Sequence, residues 1–383
     1  MSTIIEKTNK FIMQSYGRNQ AELDKGQGAS VSGYIDFGSG IGVNSLGFCD
    51  KDWVEAVCGQ VRTLQHVSNL YYTKPAADFA EKLCAVTGYS NLFFGNSGAE
   101  ANECAIKLAR KYSHDKYGKN RNKIITLNGS FHGRTVATLT ATGQPEMHNH
   151  FFPFAEGFDY IEPDNTVGLA EKLGDDVCAV MIEYVQGEGG VIPLEQSFVD
   201  SLYLICSEKD ILVIADEVQT GAGRTGKFTA GEHYGYKADV TTMAKGLFGG
   251  LPGGVCLANE KCSKVLTAGT HGSTFGGNPV VAAGGSVVLD KVSDSVFLNE
   301  VAAKGDYIRD RLSKLDEVVS ISGKGLMLGI TLKTKKSPDV VKSALEKGLL
   351  VLTAKEKLRL LPPLNIERET LDKGLKILEE ILQ

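Results

Sequence analysis

Apolar residues fall along this chain in two rhythms. Four short unbroken runs, "KIITL" (123–127), "CAVMIE" (178–183), "ILVIAD" (211–216) and "VTTMA" (240–244), have the length and composition of strands buried on both faces of a parallel sheet. Stretches with helical spacing alternate with them. In "EANECAIKLARKYS" (100–113), Ala101, Cys104, Ala105, Leu108, Ala109 and Tyr112 recur at intervals that predict a helix starting just after the glycine of "GNSGAE". "SFVDSLYLICSEK" (197–209) reads as another helix. Alternating strands and helices with glycine at the turns predict a large α/β domain over residues 46–280. After residue 281, helical "NEVAAKGDYIRDRLSKL", "PDVVKSALEKG" and "ETLDKGLKILEEILQ" surround strand-like "GLMLGITLK" and "LRLLPPL". That texture predicts a smaller α+β domain over 281–383. "GYIDFGSGIGVNSLGF" at the front, with turns and short strands, could pack beside either domain by pattern alone, and we assign residues 1–45 to the small one.

Composition narrows the function classes. The chain has 383 residues, 42% of them hydrophobic and 23% charged, enough for a large core. A formal charge of −5 argues against nucleic acid or a membrane surface as partner, since both usually call for a basic face. No apolar run approaches the roughly 18 residues of a membrane span, and "MSTIIEKTNKFIMQS" lacks the pattern of a signal peptide, so a cytoplasmic protein is expected. The eight cysteines form no CxxC, and several sit in apolar stretches, so they are read as buried, reduced thiols with no metal site.

Chemistry concentrates around one lysine. From Val240 to Asn259, Lys245 is the only charged side chain. An amine in such surroundings is costly unless something holds it. It follows Asp216 by 29 positions, each at the end of a strand-like run, so both can open at one edge of the sheet, where ligands of parallel α/β folds bind. A desolvated lysine becomes nucleophilic, and pyridoxal phosphate is the familiar cofactor that takes such an amine together with a carboxylate for its ring nitrogen. A lysine snorkelling out of a glycine-rich loop, and an aspartate capping a turn, remain the alternatives. "GAGRTGKF" resembles two nucleotide motifs and satisfies neither. No apolar helix follows it, and Phe228 stands where a P-loop needs Ser or Thr. A phosphate cradle is available in "FFGNSGAEANE" (93–103), a strand, a small-residue turn and a helix start. Ser97 there could cap the helix or bind phosphate. "THGSTFGGNP" (270–279), with three hydroxyls, is a second candidate.

The ordered set "NSGAEANECAIKLARKY", "SFHGRT", "VQGEGGV", "DEVQTGAGRTGKF", "MAKGLFGGLPGG", "GTHGSTFGGNP", "GLMLGI" and "LRLLPPL" resembles the class-III, ornithine-type aminotransferases over about residues 30 to 365. The resemblance implies pyridoxal 5′-phosphate and a fold-type-I architecture. In that architecture a mostly parallel seven-stranded sheet lies between helices, with a smaller α+β domain beside it. By resemblance Lys245 holds the cofactor as an imine and moves the proton, and Asp216 pairs with the pyridine nitrogen. Val218 and Phe131 cover the two ring faces, and Gln219 bonds the phenolic oxygen. Ser97, Gly98 and Ala99 cradle the phosphate, and Glu183 belongs to the same cofactor-binding set. Thr274 reaches the phosphate from the neighbouring subunit, which implies a homodimer with shared sites.

"SNLYYT", "FHGRT", "GTHGSTFGGNP" and "LRLLPPL" are most similar to members that act on N2-acetyl-L-ornithine with 2-oxoglutarate and glutamate. Arg134 is placed by resemblance on the distal carboxylate and Arg359 on the α-carboxylate of glutamate, with Ser273 among the substrate residues. Planar guanidinium forks suit both tasks. Glu188 is expected to neutralise Arg359 whenever the amine donor brings no carboxylate there. Aminotransferases of succinylornithine, ornithine, 4-aminobutyrate or N-succinyl-diaminopimelate share this equipment and are the alternative reading. Tyr184 stands where the family commonly has proline, next to the proposed gate.

Overall fold

The computed structural model describes residues 3–383. Seven strands form the central sheet: β1 (Asn91–Gly95), β2 (Lys123–Leu127), β3 (Phe158–Ile161), β4 (Val177–Ile182), β5 (Leu212–Asp216), β6 (Val240–Met243) and β7 (Gly254–Ala258). Their spatial order is β1-β7-β6-β5-β4-β2-β3, parallel throughout except β7, which runs antiparallel to β6 and to β1. The fold class expected from the family resemblance is therefore the observed one. Successive residues of a strand point to opposite faces, and here both faces are covered. In β5, Leu212 and Ile214 pack in a cluster with Cys104, Ala105 and Leu108 of helix α3 (Gly98–Tyr117). Val213 and Ala215 join Phe198, Val199 and Leu202 of helix α4 (Gln196–Lys209) on the other side. This two-sided burial is why the strands read as unbroken apolar runs.

Helices α1 (Lys51–Thr63) and α2 (Lys74–Thr87), which precede the sheet in the chain, pack on α5 (Pro279–Val292). The expected boundary at 280/281 falls inside α5. Helix α6 (Ser295–Leu312) then leads to a four-stranded antiparallel sheet of β8 (Val318–Lys324), β9 (Met327–Leu332), β10 (Leu352–Ala354) and β11 (Lys357–Leu360), in the order β8-β9-β11-β10. Helices α7 (Ser337–Glu346) and α8 (Arg368–Leu382) cover it. The front segment takes a side: its strand Tyr34–Asp36 pairs in parallel with Leu349–Leu350 of the C-terminal part. One apolar cluster, including Phe37, Phe248, Val288, Leu328, Leu360 and Leu375, runs through all these parts. Five cysteines are buried and all eight are unpaired. Cys49 and Cys58 are exposed, which corrects the expectation of uniformly buried thiols. Cys49 lies in the turn before α1 and Cys58 on α1 itself, a helix with no fully buried residue.

Candidate active site

Because β1, β4, β5 and β6 run the same way, their carboxyl ends share one edge of the sheet. The residues that follow them line a cavity of about 470 Å³. Ten of the fourteen site residues expected from sequence are among its lining: Ser97, Gly98 and Ala99 after β1; Phe131 and Arg134 after β2; Glu183 after β4; Asp216, Val218 and Gln219 at β5; and Lys245 after β6. The tenth is the least ordinary. Lys245 opens a single helical turn with φ of 42°, a left-handed backbone that a residue with a Cβ seldom adopts. Ser45 holds this turn by donating its hydroxyl to the Gly246 carbonyl at 3.0 Å. Burial lowers the Lys245 pKa, opposed by the charges of Glu188 and Asp216. Among the described residues its amine has no hydrogen-bond or ion-pair partner.

Asp216 is fully buried and held on three sides. Its Oδ2 accepts from Asn102 Nδ2 at 2.7 Å and lies 2.8 Å from His132 Nδ1, and its Oδ1 accepts from the Val218 amide at 3.0 Å. Asn102 is itself fixed, donating to the His132 carbonyl and accepting from Thr242 Oγ1, both at 2.7 Å. The sequence reading missed Asn102 and His132. Asn102 left a signal, as a polar residue beside Ala101, Cys104 and Ala105 on the buried face of α3. Glu183 is buried too; desolvation raises its pKa, and it accepts from the amides of Phe131 at 2.9 Å and Gly187 at 3.3 Å. It thereby ties the Phe131 loop to the Gly187–Glu188 loop.

Helix α3 begins at the cavity wall. Ser97 is its N-cap, accepting from the Glu100 amide at 3.1 Å, so the capping alternative is realised while its hydroxyl hydrogen stays available. The Gly98 and Ala99 amides have no acceptor among the described residues and, with the helix dipole, favour an anion. A Cβ at position 98 would stand 2.7 Å from Val218 Cγ1, so only glycine leaves this wall open. Two free amides, a fixed carboxylate and an unpartnered amine suit a ligand that carries a phosphate, a basic ring nitrogen and a carbonyl, as pyridoxal 5′-phosphate does.

Glu188 and Arg359 lie against this cavity through Gln219. Arg359, on β11 and nearly fully buried, donates from Nη1 to Glu188 Oε1 at 2.6 Å and to Gln219 Oε1 at 3.2 Å, and from Nη2 to Glu188 Oε2 at 3.3 Å. Gln219 Nε2 closes the triangle on Glu188 Oε1 at 3.3 Å. Burial alone would raise the Glu188 pKa, but the Arg359 charge and hydrogen bond outweigh it and hold the carboxyl below its ordinary value. Arg134 is the opposite case: exposed, with its guanidinium 5.4 Å from the Phe131 ring centre and no ion pair among the described residues. Ser273 and Thr274 are not in this cavity. They line a smaller one of about 280 Å³ with Phe93, Glu100 and His271, and Ser273 Oγ accepts from Asn96 Nδ2 at 3.0 Å. Tyr184 turns away from the site, stacking on Tyr234 and hydrogen-bonding Tyr203 behind the sheet, so its side chain does not touch the gate.

The sequence profile of the family described as Aminotransferase class-III matches residues 16–382. The acetylornithine aminotransferase of Haemophilus ducreyi is 49% identical over 379 residues, covering 97% of this chain and 96% of its own. Among solved structures, the ornithine aminotransferase of Toxoplasma gondii superposes with a TM-score of 0.94 at 28% identity, covering 99% of this chain and 95% of its own. The N-acetylornithine aminotransferase of Stenotrophomonas maltophilia does so with 0.85 at 34% identity and 98% coverage of both chains. Likeness of this extent, carried over the whole length in sequence and in fold, leaves one assignment: the chain belongs to the class-III aminotransferases.

Proposed function

We propose that the chain transfers the δ-amino group of N2-acetyl-L-ornithine to 2-oxoglutarate, yielding N-acetyl-L-glutamate 5-semialdehyde and L-glutamate, a step of arginine biosynthesis. The cofactor is that of the family, pyridoxal 5′-phosphate. When bound it supplies the carbonyl that accepts the amino group and a ring that withdraws electrons from the carbon losing its proton. The chain's residues do the rest. The Gly98 and Ala99 amides, with the Ser97 hydroxyl, bind the phosphate. Asp216 holds the proton on the pyridine nitrogen, and Asn102 and His132 keep that carboxylate oriented. Val218 and Phe131 enclose the ring, Gln219 reaches its phenolic oxygen, and Glu183 fixes the loop bearing Phe131. Lys245 Nζ, kept neutral more readily by burial, would take the proton from the donor's Cδ in the first half-reaction and would place a proton on Cα of the nascent glutamate in the second.

The single observation that carries the substrate reading is the contrast between the two arginines. Arg134 has no ion pair among the described residues, whereas Arg359 is closed by Glu188 and Gln219. N-acetylornithine brings one carboxylate, which Arg134 takes while Glu188 keeps the buried Arg359 compensated. Glutamate brings two, and Glu188 must yield Arg359 to the second. An uncompensated buried charge costs several kcal/mol, so one pocket serves both substrates only with such a gate.

A homodimer with shared sites is part of this reading, with Thr274 and Ser273 serving the partner's site. Its support is the exposed apolar strip of Leu70, Tyr71, Tyr72 and Phe275, tied to that loop by Asn69, whose Nδ2 donates to the Ser273 and Gly276 carbonyls at 2.9 Å. Residues 46–280 would form the cofactor-binding domain and 281–383 with 1–45 the smaller one, a division the pairing of Tyr34–Asp36 with Leu349–Leu350 supports. Unpaired thiols agree with a cytoplasmic location. The test is the visible spectrum of the cofactor-loaded protein, titrated separately with N-acetylornithine, succinylornithine, ornithine and 4-aminobutyrate without any keto acid. N-acetylornithine should bleach the absorbance most efficiently. Preference for another donor would overturn the substrate, and a protein that stays colourless with added cofactor would overturn the reaction.

A further inference from the structure

The glycine run "GAGRTG" that fits no nucleotide motif surrounds one of the largest fully buried side chains of the molecule, Arg224. The loop is built to bring it inward. Ala222, Gly223 and Gly226 have φ of 53°, 83° and 83°. A Cβ on Gly223 would stand 3.0 Å from Leu298 Cδ2, and one on Gly226 3.0 Å from Ala302 Cβ, so the loop lies flat on α6. A Cβ on Gly325 would stand 2.4 Å from the Thr225 carbonyl carbon, so the β8–β9 turn is pressed on it from the other side.

Arg224 has no carboxylate within ion-pair distance among the described residues, and its Nη2 has no partner. Its Nη1 donates to the carbonyls of Leu326 at 3.1 Å and Pro362 at 2.5 Å, while its own carbonyl accepts from the Leu326 amide at 3.0 Å. Burying a guanidinium with an unmet donor is expensive, and packing alone would be served as well by an apolar side chain. The two carbonyls indicate what the charge does. Leu326 immediately precedes β9, and Pro362 lies three residues past Arg359 on β11. These two strands pair with Gly329 opposite Arg359. Arg224 thus grips the chain just outside both strands of the Arg359 ladder, and its own loop begins four residues after Asp216, at Gln219's neighbour Thr220. The circuit closes because Gln219 accepts from Arg359.

We infer that Arg224 is a positioning residue that holds the Arg359 guanidinium where the second carboxylate of a dicarboxylate binds, and so tunes the dicarboxylate half-reaction far more than the amine-donor half-reaction, in which Glu188 supplies the compensating charge. This rests on the reading of Arg359 as the carboxylate clamp. Glutarate, a dicarboxylate without a keto group, is the probe. Arg224→Lys keeps the charge, but its ammonium ends one bond short of the Nη1 position that meets both carbonyls. Arg224→Met removes the charge at similar volume.

In the cofactor-loaded protein both variants should bind glutarate at least tenfold more weakly by calorimetry, and their KM for 2-oxoglutarate should rise to match. The rate and concentration dependence of bleaching by N-acetylornithine should stay within about twofold. Unchanged glutarate affinity in either folded variant, or equal losses in both half-reactions, would overturn the inference. In the wild-type protein, bound glutarate should slow hydrogen exchange of the Leu326 amide, and no slowing would overturn it without any variant. Arg359→Ala is the control. If it binds glutarate like wild type, the clamp reading itself has failed, whatever Arg224 does.

Discussion

At Lys245 the chain accepts a left-handed backbone and a desolvated amine in the same residue. Both are costs in the free protein, and both are understandable where an amine must stay neutral and aimed. The amine's pKa lies below its ordinary 10.5, so below that pH the unfolded chain binds a proton there more readily than the folded one. Stability then rises with pH as this difference is titrated away, and the residue's penalty disappears above pH 10.5. Replacing Lys245 with Met should therefore raise the melting temperature of the cofactor-free protein at pH 7, with the gain closing as pH approaches 10.5. Turnover should fall by about a thousandfold or more, the scale of a lost proton-transfer group. A variant that melts like wild type at pH 7, or keeps its turnover, would contradict this account of the lysine. An isolated charge in an apolar run was legible in the sequence. The partners that fix Asp216 were not, because Asn102 and His132 come from α3 and the loop after β2 and meet only across the folded sheet.

Among the elements, α3 has two duties at its first turn, a capped helix start and a pair of free amides facing the cavity. Ser97→Ala should cost about 1 kcal/mol in urea unfolding of the cofactor-free protein, the usual value of an N-cap, and Ser97→Gly only a few tenths. Equal loss in the two variants would mean that the cap geometry is not what stabilises the turn. Strands β2, β4, β5 and β6 stood out as apolar runs because both their faces are buried, and their observed limits differ from the expected ones by one residue at most at each end. β3 and β7 were harder to read. β3 is an edge strand with mixed residues, "FDYI", and β7 follows a glycine-rich loop that hides its start. The left-handed turn over Ser39–Gly42, with φ between 47° and 73°, had no local signal beyond two glycines. It is held by contacts to distant segments, among them the Phe37 carbonyl accepting from the Leu361 amide at 2.7 Å.

For the whole molecule, the strands of the mostly parallel sheet all precede residue 281, and those of the four-stranded antiparallel sheet with helices on it all follow it. The boundary itself was not legible, since α5 continues through it and packs on helices from the first part of the chain. Arg359 comes from the small sheet, Asp216 ends a strand of the large one and Lys245 follows another, and Glu188 lies in the loop between Val185–Gln186 and Ile192–Pro193, so the proposed chemistry requires all these parts in one arrangement. No described helix is long and apolar enough to cross a membrane. The central claim is that this assembled cavity moves one specific nitrogen. The most direct measurement supplies the cofactor-loaded protein with 2-oxoglutarate and N2-acetyl-L-ornithine carrying 15N only at Nδ, and follows the label by mass spectrometry. The account predicts 15N in the amino group of newly formed glutamate, in equal amount to the semialdehyde. Label that stays in the donor, or leaves as ammonia while glutamate remains unlabelled, would contradict it.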